Sequence, residues 1–431
     1  LIPLYANLFA TGEYGVVTYL YSLAAFVTVL YSYGMESAFF KYSSTRELGN
    51  ARENFSTPLL SLAGTSLLLS ALLSLCASPV ASAIHLPAGH ERSIVLIAWL
   101  LATDAIAVIP FAALRLERKP KLFAAIKFFN ILINVLSNLI LLLVFRFGIE
   151  GVFASGLIAS VLTLLMLAPT LRHHIAPVFN RDLWRALLRF GLPFIPSGLA
   201  AMAVQVIDRP ILRSLTDDAT VGIYQANYRL AIFMMLIVSM YDYAWRPFYF
   251  TVAKEPTAKA TFARLLTYLV LFLSAVFLVL TFFVESIVHL SIFGRHIIGP
   301  DYWGGLGVVP VVLAGYLFLG IYTHVSAGIY IEKKTKYAAP VTILGCLVNV
   351  AANFLLIPPM GLMGSAWATF LAYLVMAVAM YFVANRVYPV QYEFKRILKI
   401  TLALLAVLFL YYLPPVELYS SFPAGAVLYK S

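Results

Sequence analysis

Apolar runs long enough to cross a bilayer follow one another along the whole sequence, which restricts the chain to a polytopic membrane protein. They lie near 1–9, 14–40, 57–84, 93–116, 123–146, 149–169, 189–214, 220–248, 263–290, 306–331, 337–357, 361–385, 395–413 and 420–431. The pattern predicts an all-α protein of about 14 transmembrane helices, the first and last cut short at the ends of the sequence. Composition points the same way. Charged residues make up 11% of the 431, against about 25% in a soluble domain, and 62% are hydrophobic. A soluble enzyme and a disordered chain are thereby excluded. Cys76 and Cys346 both lie in apolar stretches and predict neither a disulfide framework nor a metal site.

A net charge of +11 suggests nucleic acid in a soluble protein, but here the basic residues sit between the apolar runs. Six connections, 41–56, 115–121, 170–189, 246–264, 332–336 and 386–399, hold 22 of the 30 Lys and Arg residues. Every second connection is basic, as the positive-inside rule requires. The basic connections are expected in the cytoplasm, and an even number of spans places both termini there too.

The chain also repeats itself. An offset of 207 brings Gly15-Val16 onto Gly222-Ile223, Tyr21 onto Tyr228, Phe26 onto Phe233 and Pro3 onto Pro210. An offset of 215 brings Glu117-Arg118-Lys119-Pro120-Lys121 onto Glu332-Lys333-Lys334-Thr335-Lys336, and Asn134 and Asn138 onto Asn349 and Asn353. Gly148-Ile149-Glu150-Gly151 matches Gly361-Leu362-Met363-Gly364. Each unit holds six spans, so the two units share one orientation, a parallel repeat about an axis along the membrane normal. By the first offset, about twenty residues are expected before residue 1. The expected organisation is an N-terminal bundle over 1–180, a second over 181–388, and two additional helices over 389–431. Paired bundles of this kind are a transporter plan, and no pore-loop signature speaks for a channel.

At this point particular residues carry a resemblance. Phe9-Ala10-Thr11-Gly12-Glu13-Tyr14-Gly15 resembles the first outer turn, and Ile207-Asp208-Arg209 with Val221-Gly222-Ile223-Tyr224 the span seven–eight signature, of a known family. It is that of the polysaccharide and oligosaccharide-lipid flippases (O-antigen translocase-like) of the multidrug/oligosaccharidyl-lipid/polysaccharide (MOP) superfamily. The resemblance implies a MATE-like fold, with two six-helix bundles around a central cavity plus two C-terminal helices. It implies movement of a lipid-linked oligosaccharide, of the undecaprenyl-pyrophosphate type, across a bacterial plasma membrane for O-antigen, lipopolysaccharide or other surface polysaccharide. An ion gradient, of protons or sodium ions, would drive it as in an antiporter. The implied partners are the lipid-linked substrate, membrane lipid, the coupling ion, and polysaccharide polymerase or other envelope-assembly proteins. The sequence holds no G-x-x-x-x-G-K-[ST] phosphate loop and no soluble domain for ATP hydrolysis. No cofactor and no catalytic constellation is expected.

An anionic, hydrated head group crossing hydrocarbon needs cations and hydrogen bonds, so ionisable residues within spans are the candidates. Arg229, deep in span eight, offers a planar fork suited to phosphate. Asp208 and Arg209 in span seven are candidate cavity residues too, beside Pro210 as a kink; a local hinge with a self-paired ion pair is the plainer reading. Tyr21 and Tyr228 near mid-span are candidates for stacking on a sugar. Asp104, mid-way along span four, is the candidate ion-coupling carboxylate, unless a neighbouring hydroxyl simply satisfies it. Glu36, Lys41, Arg46, Asp242 and Arg246 are candidates for a cytoplasmic gate, against ordinary interfacial charge. The Asn130, Asn134, Asn138 stripe and its repeat at Asn349 and Asn353 read as helix-to-helix hydrogen bonding. His289 and His324 read as structural.

Three other functions compete. A multidrug cation exporter would present negative charge, whereas the candidate cavity is basic. A membrane-embedded glycosyltransferase or polymerase needs a large outer loop carrying an acid or base, and the loops are short. The third is a non-transporting scaffold.

Overall fold

The computed structural model describes residues 2–412 apart from 46, 254, 293, 294 and 333. Among these, ten helices are long and apolar enough to cross a membrane, or eleven when one bent pair counts as a single span. The short first run forms the seven-residue helix α1 (Ile2–Leu8). The last run, 420–431, lies outside the described residues.

The helices begin and break where the backbone dictates. α2 (Thr11–Ser32) and α3 (Met35–Thr45) together fill the second run, broken where Tyr33 and Gly34 adopt φ of 30° and 70°. A Cβ at Gly34 would lie 2.4 Å from the Gly191 carbonyl oxygen, so only glycine fits this turn. α4 (Ala51–Leu75) starts on a capping box: the Asn50 side chain accepts from the Arg52 and Glu53 amides, and Glu53 accepts from the Asn50 amide. The short α5 (Ala77–Ala83) follows, then α6 (Glu91–Leu116), α7 (Pro120–Leu139) and α8 (Gly148–His174). Pro120 opens α7 at a position where its missing N–H costs nothing.

Span seven is broken into α9 (Arg181–Gly191), α10 (Phe194–Val206) and α11 (Asp208–Leu215), with a 40° bend between α9 and α10. Span eight is one crossing made of α12 (Asp218–Tyr228), a tightened 3-10 turn at Arg229–Ala231, and α13 (Ile232–Val252). The 32-residue α14 (Ala258–His289) leads to a two-stranded antiparallel hairpin, Ser291–Ile292 with Arg295–His296, and a 3-10 turn at Pro300–Gly305. α15 (Val308–Val325), α16 (Ala327–Ile331), α17 (Ala338–Met360), α18 (Leu362–Val387) and α19 (Phe394–Tyr412) complete the chain. α19 carries Lys395, Arg396 and Lys399 in its first turns and buries no residue.

The described chain forms two compact units. The first comprises Leu1–Arg229, Val288–Val308 and Thr342–Ala372. The second comprises Leu230–Ile287, Val309–Val341 and the chain from Tyr373 onward. The first draws on both halves of the sequence repeat, whereas the second lies wholly beyond the first half.

The first unit displays the repeat in atomic detail. Gly148 and Gly361 adopt matching φ of 60° and 55° and open α8 and α18 in the same way. Four residues apart on α7, Asn138 donates to the Asn134 carbonyl and side-chain oxygens at 2.8 and 3.1 Å. On α17, Asn353 donates to the same two atoms of Asn349 at 2.8 and 3.0 Å. Tyr5 and Ser365 then donate to Asn138 and Asn353 at 2.7 and 2.9 Å, so both stripes join helices. Asn130 joins α7 to α8 through Thr163 at 2.9 Å.

The second unit packs around Trp245, Tyr249, Phe262 and Val390. Inside it His324 stacks on Trp245 at 4.4 Å between ring centres. The Phe262 carbonyl can only accept, so the His324 Nε2 donates to it, at 3.0 Å, and Nδ1 accepts from the Tyr241 hydroxyl at 2.5 Å. This histidine is structural. His289, in the first unit, packs against Trp303 with ring centres 4.2 Å apart and the planes tilted by 49°.

Candidate functional site

In the first unit, Asp208 and Arg209 begin α11 and are buried, 2% and 4% exposed. Arg209 Nη1 reaches Asp208 Oδ1 at 2.6 Å, its Nε donates to Gln225 at 3.1 Å, and Nη1 also donates to the Gln205 carbonyl. Asp208 accepts the Tyr224 hydroxyl at 2.7 Å, and the guanidinium lies 4.3 Å from the centre of the Tyr228 ring. Two charges removed from water are stable only when paired and bonded throughout, and these are. The cluster clamps α11 onto α12 and leaves little of the Arg209 charge for a ligand. Tyr228, buried at 7%, belongs to this clamp.

Arg229 follows directly and differs in every respect. It is half-buried, and among the described residues it forms no hydrogen bond or ion pair. Its charge acts on the hydroxyls of Tyr5, Tyr14 and Tyr21. Eleven residues of α12 precede it, placing it about 16 Å along the helix from Asp218. An unpaired guanidinium at that depth is costly to place in an apolar crossing. Tyr21 packs on Phe153 at 5.0 Å and is half-buried.

A polar cavity of about 470 Å³ opens within the same unit, between α2, α3, α6, α7 and α8. Asp104, Lys127, Asn130, Thr163, Glu36 and Arg115 are among the residues that line it. The Ser160 hydroxyl donates to Asp104, so a neighbouring hydroxyl does satisfy one carboxylate oxygen, while Asp104 stays open to the cavity. Lys127 lies 4.3 Å from the centre of the Phe111 ring and has no ion pair among the described residues. The sequence reading passed over this lysine. Its signal was present: a single Lys, the fifth residue of the apolar run 123–146.

The gate candidates divide. Glu36 pairs with Arg115, and Lys41 lies over the Phe190 ring at 4.5 Å, both in the first unit. Asp242 and Arg246 pair along α13 in the second unit, with the Arg246 Nε 3.0 Å from each carboxylate oxygen. Arg46 lies outside the described residues. At the end of α6, burial pushes the Glu117 carboxyl up, but bonds from Lys119 and His174 outweigh it and hold the group below the usual carboxylate range. No group of three or more His, Cys, Asp or Glu side chains among the described residues is arranged to hold a metal ion.

The comparisons with known proteins agree with this plan. The family described as "Polysaccharide biosynthesis protein" matches residues 4–296. The chain belongs to that family. Its fold is shared with the lipid II flippase MurJ in an inward closed conformation, at TM-score 0.71 and 18% identity over 97% of this chain and 94% of that one. It is shared also with an inward-facing multidrug resistance MATE transporter of the MOP superfamily, at TM-score 0.67 and 15% identity over 92% and 94%. A Vibrio cholerae MATE transporter, VcmN, in its bent form matches at TM-score 0.53 and 14% identity over 90% and 87%. No curated protein matches the sequence. The chain is thus a multi-pass membrane protein of the polysaccharide biosynthesis family whose fold is that of MurJ and the MATE transporters.

Proposed function

We propose that this member of the polysaccharide biosynthesis family flips a lipid-linked oligosaccharide, of the undecaprenyl-pyrophosphate type, between leaflets of a bacterial plasma membrane. The observation that carries the reading is Arg229: a half-buried guanidinium without an ion pair among the described residues, at a 3-10 turn inside an apolar crossing. A pyrophosphate supplies the counter-charge that the protein does not. The guanidinium fork matches two phosphate oxygens at once. The half-buried Tyr21 offers a ring face and a hydroxyl to a sugar. A 3-10 stretch within a helix is a common functional hinge. Alternating access then moves the head group while the lipid tail stays in hydrocarbon.

In this reading Asp104 takes up the coupling ion, a proton or sodium, from the polar cavity, and the basic connections and both termini face the cytoplasm. The Glu36–Arg115 and Asp242–Arg246 pairs lie near that side and contribute to its gate. Envelope-assembly proteins such as a polysaccharide polymerase would take over the flipped product. Support comes from the family match and from a likeness in fold to a protein named as a lipid II flippase.

The test is translocation by the complete protein in liposomes with undecaprenyl-pyrophosphate oligosaccharide in one leaflet. Transfer that depends on a proton or sodium gradient is expected. Absence of transfer, together with uptake of cationic dyes, would replace this reading with drug export.

A further inference from the structure

We propose that the first unit carries a lipid-binding site for a zwitterionic aminophospholipid, separate from Arg229 and from the Asp104 cavity. A second cavity of about 450 Å³ lies between α2, α4, α5, α6 and α11. Every side chain that lines it is apolar, among them Leu23 and Phe26 of α2, Leu73 of α4, Val80 of α5, Ile97 of α6 and Pro210 of α11. Its volume lies within the roughly 300–1,000 Å³ typical of ligand pockets. Water does not settle in such a space, because it finds no polar partners there. Its apolar walls favour hydrocarbon over water. Hydrocarbon fills it.

The neighbouring pocket, of about 470 Å³, says which hydrocarbon. It shares Ile84 and Pro210 with the apolar cavity and is otherwise polar. Arg213 is its fixed point. Its Nε donates to Asp218 at 2.6 Å, and Nη1 and Nη2 donate to the Ile84 and His85 carbonyls at 2.8 Å each. Nη2 also reaches the second Asp218 oxygen at 3.3 Å, and the guanidinium lies 4.0 Å from the centre of the Tyr19 ring. The loop after α5 is thereby tied to α11, and the shared wall of the two pockets is held in place before any ligand arrives.

Charge selects the head group. Asp217 and Asp218 outnumber Arg213, so an anionic lipid is disfavoured and an ammonium is favoured. Asp217 is exposed and caps α12 with one oxygen, accepting from the Thr220 amide at 2.7 Å; the other oxygen has no hydrogen-bond partner among the described residues. It is the acceptor for the ammonium. The Tyr19 hydroxyl, the exposed His85 ring and the remaining Arg213 N–H are the donors for the phosphate. One chain lies in the apolar cavity and the head group spans Asp217 and Arg213.

Native mass spectrometry of the delipidated full chain, titrated with dioleoyl phosphatidylethanolamine, dioleoyl phosphatidylglycerol or undecaprenyl phosphate, tests this. The expected result is one retained phosphatidylethanolamine, bound about fivefold more tightly than the anionic lipids, the weight of a rim ion pair. Val80→Phe and, separately, Val27→Phe fill the cavity and should abolish retention, with thermal melting showing that each variant is folded. Asp217→Asn preserves the cap and should erase the preference for phosphatidylethanolamine. Equal or tighter binding of phosphatidylglycerol or undecaprenyl phosphate to the unaltered chain overturns the proposal. So does lipid retention by a folded cavity-filled variant.

Discussion

Gly15 of α2 and Gly222 of α12 occupy equivalent positions of the repeat, and each lies against the other's helix. A Cβ at Gly15 would stand 1.7 Å from the Asp218 carbonyl oxygen, and one at Gly222 would stand 2.0 Å from that of Thr11. Thr11 and Asp218 are themselves one offset of 207 apart. The contact is therefore self-complementary, as a two-fold relation between duplicated helices requires. Small residues permit this close backbone approach, which side-chain packing alone would forbid.

Gly15→Ala and Gly222→Ala should each destabilise the protein by about 1–3 kcal/mol, because the clashing atom is backbone and the helices must separate. The two losses should be similar in size. Gly12, whose Cβ would meet nothing within 4 Å, serves as the control, and Gly12→Ala should stay near the parent. Thermal unfolding in one detergent decides it. A loss at Gly12 equal to the other two would show that the contact is not responsible.

The buried Asp208–Arg209 pair gives a second expectation. Asp208→Asn leaves a guanidinium 5% exposed without its counter-charge, which costs about 3–5 kcal/mol. The double variant Asp208→Asn, Arg209→Gln should recover most of that loss. If the clamp only holds α11 to α12, transport per folded molecule should survive in the double variant. A folded double variant without transport would move Arg209 back among the substrate contacts.

Glu117 predicts a pH dependence. Its folded pKa lies below the ordinary carboxylate value, so its contribution is present at neutral pH and fades as pH falls through and below the ordinary carboxylate range. The melting temperatures of the parent and Glu117→Gln should differ at pH 7 and converge in acid. A gap that stays constant with pH would contradict the assignment.

How much of this was legible in the sequence varies by element. The all-helical, many-crossing plan was, because apolar length is a backbone-level fact that packing does not alter, although ten or eleven of the fourteen expected crossings are long and apolar enough among the described residues. The Asn134–Asn138 and Asn349–Asn353 stripes were legible as helix ties. Breaks were harder. The run 14–40 is divided at Tyr33 and Gly34 by left-handed backbone, and span eight is tightened at Arg229–Ala231, neither of which changes hydrophobicity. Asp208 and Arg209 drew attention as rare intramembrane charges, but only their neighbours, Tyr224 and Gln225 on the next helix, show them to be satisfied. Lys127 stands alone in its run, and the carboxylate that shares its cavity, Asp104, lies on another helix. The pairing of Glu36 with Arg115 joins residues 79 apart in sequence, which no local pattern announces.

The most direct test of the account is head-group translocation by Arg229→Ala and Arg229→Lys beside the parent protein, read as the accessibility of undecaprenyl-pyrophosphate oligosaccharide from the far side of a liposome. If Arg229 holds the pyrophosphate with its fork, the alanine variant should fall by about tenfold or more, and the lysine variant should recover only part of that loss. Folded alanine variant that transfers the head group at the parent rate would contradict the account, and the cationic cavity would have to be placed elsewhere.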